Sequence, residues 1–137
     1  MRSLRGVRLI GLLCALAIVV ISLVPNALRP HSGAPKGLEH FWAYALCGLM
    51  LTLGFRRRGH VLLIAALLVL GSAVLEVSQA WAIGRTPAIS DFGFSSLGAC
   101  IGLAAGLCAD RLLRRSTSSL AEPIVASNPR PTDQQRR

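Results

Sequence analysis

Four long apolar runs separated by short polar stretches set the pattern of this chain. They are Leu9 to Leu28, Leu38 to Phe55, Val61 to Ile83 and Phe92 to Ala109. Apolar residues in each run cover every face of a helix instead of one stripe, which is how lipid-facing helices read. The pattern predicts an all-α fold, an integral membrane four-helix bundle with spans at about residues 7–25, 38–55, 61–83 and 92–112. A helix over 7–25 rises roughly 28 Å, close to the hydrocarbon thickness of a bilayer. Residues 1–115 are read as one transmembrane domain. From 116 to 137 the chain turns to Ser, Pro, Asn, Gln and Arg, which cannot bury a core, so a disordered cytoplasmic tail is expected there.

The first run is expected to be a retained span. Its exit, LVPNALRP, offers no pair of small residues for cleavage, and GLLC before Cys14 lacks the small residue of a lipobox. Asn26 to Gly37 carries two prolines and two glycines and reads as a loop.

Composition supports the membrane reading: 137 residues, 53% of them hydrophobic, with mean hydropathy +0.55 and net charge +9. The basic excess does not suggest nucleic acid, because the arginines flank apolar runs and no basic stripe with interleaved aromatics occurs. They fit the positive-inside rule instead. In a four-span arrangement Arg2, Arg5, Arg8, Arg56, Arg57, Arg58, Arg111, Arg114 and Arg115 share one side, against Arg29, Lys36 and Arg85 on the other. Both termini are therefore expected in the cytoplasm of a bacterium, with the chain in its inner membrane. The four cysteines, Cys14, Cys47, Cys100 and Cys108, lie in apolar runs without CxxC spacing and read as small hydrophobes.

The arginine count gives meaning to the one polar stretch, Glu76 to Gly98. Glu76 and Gln79 share a helix face at i, i+3, while Arg85 and Asp91 bracket a Gly/Pro-containing turn. His40 and Tyr44, at i, i+4 near the start of the second run, approach the same outer level. A carboxylate such as Glu76 costs roughly 2.5–3.5 kcal/mol at mid-bilayer, so it is expected to face the bundle and to have a partner. His40, Glu76 and Asp91 are the candidate catalytic groups, with the histidine as base and a carboxylate to orient it. Tyr44, Gln79 and Arg85 are the candidate ligand contacts, Arg85 for an anionic head group. A purely structural network of the same residues stays open.

No GxSxG, HExxH, Walker loop or GxGxxG occurs. A triad built on Ser90, Ser95 or Ser96 is specified by neither order nor spacing, and His40, Glu76 and Asp91 give no spacing test for a metal. Neither metal nor cofactor is expected. Four spans without an internal repeat argue against transport.

Gly98, Gly102 and Gly106 recur every four residues and let another helix approach closely. Packing within the bundle, against the first or third span, is the expected use; a homo-oligomer seam is the alternative. Asp91 and Ser95 lie on the same face as Gly98 and Gly102, so the seam points at the polar level.

HFWAY (His40 to Tyr44), EVSQ (Glu76 to Gln79), Gly84-Arg85, Ser90-Asp91 and GACIG (Gly98 to Gly102) together resemble the VanZ-like membrane proteins over about residues 9–112. The resemblance marks His40, Phe41, Tyr44, Glu76, Gln79, Arg85 and Asp91 as characteristic positions. The chain departs from the family in having Lys36-Gly37 where an Asp-Lys pair is frequent, and Ser95 where an Asn is frequent. The family takes its name from a protein linked to resistance to a glycopeptide antibiotic, and most members have no assigned activity. The expectation is an inner-membrane protein whose outer-face cluster binds or modifies an envelope lipid or glycopeptide-like ligand. The alternative is a non-enzymatic helical module whose cluster is structural and whose glycine seam meets a partner or second copy.

Overall fold

The structure is a computed structural model and describes residues 2–28, 33–81 and 87–126. Among them are four α-helices and no strand: α1 (Arg2–Leu23), α2 (Lys36–Gly54), α3 (Arg58–Ser78) and α4 (Ile89–Ala126). Single 3-10 turns follow α1 at Asn26–Leu28 and α3 at Gln79–Trp81. By length and composition α1, α3 and α4 are suited to cross a membrane, which fits a membrane protein. The fold class is the one the apolar runs predict.

Local signals set the helix ends. Pro35 precedes α2 with extended backbone, and its carbonyl accepts from the amides of Leu38 and Glu39. Proline's fixed φ and missing N–H suit a helix entrance. Only Phe55, Arg56 and Arg57 separate α2 from α3. α4 continues to Ala126, through the first half of the stretch expected to be disordered; from Leu107 to Glu122 neither glycine nor proline occurs, and Pro123 falls in its last turn. Residues 127–137 of that stretch lie outside those described.

α2 touches all three other helices and packs most extensively on α4. The glycine seam of α4 therefore serves α2, and not α1 or α3 as its sequence context suggests. A Cβ placed on Gly98 or Gly102 would overlap the backbone carbonyls of Phe41 and Ala45, and one on Gly106 would lie 2.7 Å from the Thr52 Cβ. The reason is a matching small face on α2. A Cβ on Gly48 would lie 3.0 Å from the Ala99 carbonyl oxygen and 3.2 Å from the Leu103 amide nitrogen, with Ala45 and Thr52 on either side along α2.

The buried core is small: Tyr44, Cys47, Leu51, Val61, Ile64, Leu68, Ala99 and Leu103. Outside it, Leu62 is 74% exposed and Leu70 65%, and most of α1 points outward. Water would not tolerate so continuous an apolar surface, whereas lipid does. The cysteines are all free, and Cys47 is fully buried.

The arginines that flank α1, the α2–α3 turn and α4 among the described residues gather at one end. Arg8 Nε donates to the Gly54 carbonyl at 2.7 Å, and its guanidinium lies 5.1 Å from the centre of the Phe55 ring. Arg56 Nε meets Asp110 Oδ1 at 3.1 Å and Arg114 Nε meets Oδ2 at 2.7 Å. These contacts fasten the start of α1, the α2–α3 turn and α4 together.

Candidate functional site

At the opposite end of α2, polar side chains from three helices converge. α2 contributes Lys36, His40 and Tyr44, four residues apart on one face. The end of α3 and its 3-10 turn contribute Glu76 and Gln79, and the first turns of α4 contribute Asp91 and Ser95. Glu76, Gln79, Asp91, Ser95 and Tyr44 are all buried.

Lys36 joins them. Its Nζ lies 2.5 Å from Asp91 Oδ2 and 3.9 Å from Glu76 Oε1, and donates to Gln79 Oε1 at 3.2 Å. Two carboxylates and an amide thus close around one ammonium. Glu76 also reaches the backbone of the next helix, where its Oε1 accepts from the Ala88 amide at 2.6 Å. Ala88 accepts the first backbone bonds of α4 from Asp91 and Phe92, so Glu76 caps that helix from a neighbouring one. The positive end of the α4 dipole favours both this carboxylate and Asp91 in the first turn. A carboxylate that is expensive at this depth is held by a helix terminus and a lysine.

His40 has different surroundings. Its Nδ1 lies 3.3 Å from Ser95 Oγ, and the ring is half-buried. On its other side is a cavity of about 360 Å³ between α1 and α2, lined by Glu39, His40 and Ser22 and by apolar residues such as Ile18, Ile21 and Leu46. Tyr44 lines the same cavity. Ser95 itself is 2% exposed, which withholds it from any substrate and leaves it the role of orienting the imidazole. No group of three metal-ligating side chains forms among the described residues.

The structure thus brings together Glu76, Gln79 and Asp91, and separately places His40 and Tyr44 beside a cavity. Arg85 lies outside the described residues. Lys36 is the member that sequence reasoning misses, because the apolar run places the helix start at Leu38 and leaves Lys36 as a loop charge. Its spacing of four and eight residues from His40 and Tyr44 is the available signal. Gln79 Nε2 is buried with no hydrogen-bond partner among the described residues, an unmet donor in an otherwise closed network.

Fold and site together fit an α-helical membrane protein with a polar cluster at the end of its bundle away from the described arginines. No family model, curated protein or solved structure matches the chain.

Proposed function

We propose that this chain is a four-pass protein of a bacterial inner membrane with both termini in the cytoplasm. In this reading the cavity beside His40 binds the polar end of an envelope lipid or glycopeptide-like amphiphile. The observation that carries it is the lining of that cavity, apolar along most of its body with Glu39, His40, Ser22 and Tyr44 as its polar members. Such a shape suits a molecule with a chain and a hydrogen-bonding head. The orientation rests on the nine arginines assigned to one end, and the resemblance to VanZ-like proteins supports the choice of His40, Phe41 and Tyr44.

A structural role suits the rest of the cluster, which is the second reading in part. Glu76, Gln79 and Asp91 are closed onto Lys36 and the α4 terminus, so they hold α2 in register and present His40 to the cavity. His40 is the candidate acid–base group if the bound molecule is also modified.

Purified full-length protein equilibrated with an envelope lipid extract in nanodiscs, then analysed by native mass spectrometry, tests the proposal. One lipid species is expected to be retained by the wild type and lost, at least tenfold, on His40→Ala and on Ala17→Phe, which fills the cavity from α1. Undiminished retention by both folded variants excludes this site.

A further inference from the structure

A second cavity, of about 440 Å³, lies between α1 and α3 over the floor provided by α2. It follows α3 from His60 to Leu75, roughly 22 Å of helix, more than the roughly 15 Å that the chains of one leaflet occupy. Its lining is aliphatic except at its ends, where Tyr44 closes one and Phe55 and His60 the other. On α1 the face that walls it continues outward through Leu12 to Arg8 and Arg5, at the spacing of one helical stripe.

The end at Phe55 is strongly cationic. Arg8 is held against the Phe55 ring, and the His60 ring packs edge-on to the same phenyl with centroids 5.9 Å apart. Arg5 and Arg57 are exposed and form no ion pair among the described residues. The acid described at this end, Asp110, is already taken by Arg56 and Arg114. An apolar groove of leaflet depth therefore opens onto positive charge at Arg5 and Arg57 that forms no ion pair among the described residues.

We propose that this groove holds an acyl chain of an anionic glycerophospholipid whose phosphate is bound by Arg5, Arg57 and His60. Charge selects the occupant, since a zwitterionic lipid or a second copy of this arginine-rich end offers no net negative partner. The groove shares Ile18 and Tyr44 with the cavity beside His40 but does not include His40 itself. Only its assignment to the inner leaflet rests on the orientation proposed above.

Gly71 supplies a clean test. It lines the groove, and an added Cβ there meets nothing within 4 Å, so a leucine fits the fold while filling the space a chain would occupy. The full-length protein is placed in nanodiscs of phosphatidylcholine with a minor fraction of phosphatidylglycerol, and retained lipid is counted by native mass spectrometry. The wild type is expected to keep one phosphatidylglycerol in preference to phosphatidylcholine. Gly71→Leu is expected to lose it, and Arg5→Gln with Arg57→Gln to weaken the preference by about fivefold per arginine. His40→Ala is expected to leave it unchanged, which separates this site from the other cavity. Equal retention of the two lipids by the wild type, an unchanged preference in the double arginine variant, or dimers in place of bound lipid would overturn the proposal. The arginine pair, exposed and outside the packed core, decides the matter even if Gly71→Leu does not fold.

Discussion

Gly102→Leu prevents α2 from docking on α4 and yields no folded protein, and even Gly102→Ala destabilises by more than about 3 kcal/mol. The magnitude follows from what the new atoms meet. Beside Gly102 stands the Ala45 carbonyl, a backbone group that moves only if the whole of α2 moves. Overpacking against side chains costs about 1–3 kcal/mol because rotamers yield, and here none is available to yield. The same reasoning orders a series. Gly98→Ala, facing the Phe41 carbonyl, belongs with Gly102→Ala; Gly106→Ala, whose Cβ would stand 2.7 Å from the Thr52 Cβ, overlaps less and is milder; Gly71→Ala, facing open space, costs nothing. Cys47 provides the assay, being fully buried and unpaired. In a variant with Cys14, Cys100 and Cys108 replaced by serine, a thiol-reactive dye reports unfolding in detergent through Cys47 alone. A seam used only between copies gives a different result, with monomers intact and oligomers lost.

Lys36→Met is the second large effect. It leaves the Asp91 and Glu76 carboxylates buried without their ammonium, and removing one member of a buried pair costs about 3–5 kcal/mol. The lower end, about 3 kcal/mol, is expected because the lysine side chain is 32% exposed and water already weakens the pair. Adding Asp91→Asn to Lys36→Met removes the stranded charge and is expected to recover at least half of the loss. Glu76→Gln in the wild-type background keeps an oxygen for the Ala88 amide and costs less than Lys36→Met. The Cys47 dye assay measures all three, and a Lys36→Met protein within about 0.5 kcal/mol of the wild type would show that the cluster does not hold the bundle.

The four helices are legible in the sequence because their runs are apolar on every face, a signal that needs no knowledge of what packs where. The polar residues are legible for a related reason: Glu76, Gln79 and Asp91 are conspicuous in such surroundings. What they touch is not. Lys36 sits between prolines and glycines that read as loop, and nothing local announces that the helix starts two residues before Leu38. The partner of the glycine seam is hidden by its own symmetry. Small residues say that a backbone comes close, and only the complementary Ala45, Gly48 and Thr52 say whose. Division of the site into a sealed network and an open cavity depends on the separation of α1 from α2, which no spacing in one helix encodes.

α2 makes the most extensive helix–helix contact, with α4, yet α1, α3 and α4 are the three described helices suited by length and composition to enter a membrane. Its closest companion is made after the other described helices. At roughly 5–20 residues per second, a ribosome needs about 3–10 s to proceed from the end of α2 at Gly54 to Gly106 of the seam. During that interval the nascent chain holds Lys36 without Asp91 and a glycine face without its mate. The α2–α4 pairing thus waits for α4, and a chain cut short before it leaves the small-residue face of α2 without the surface it fits.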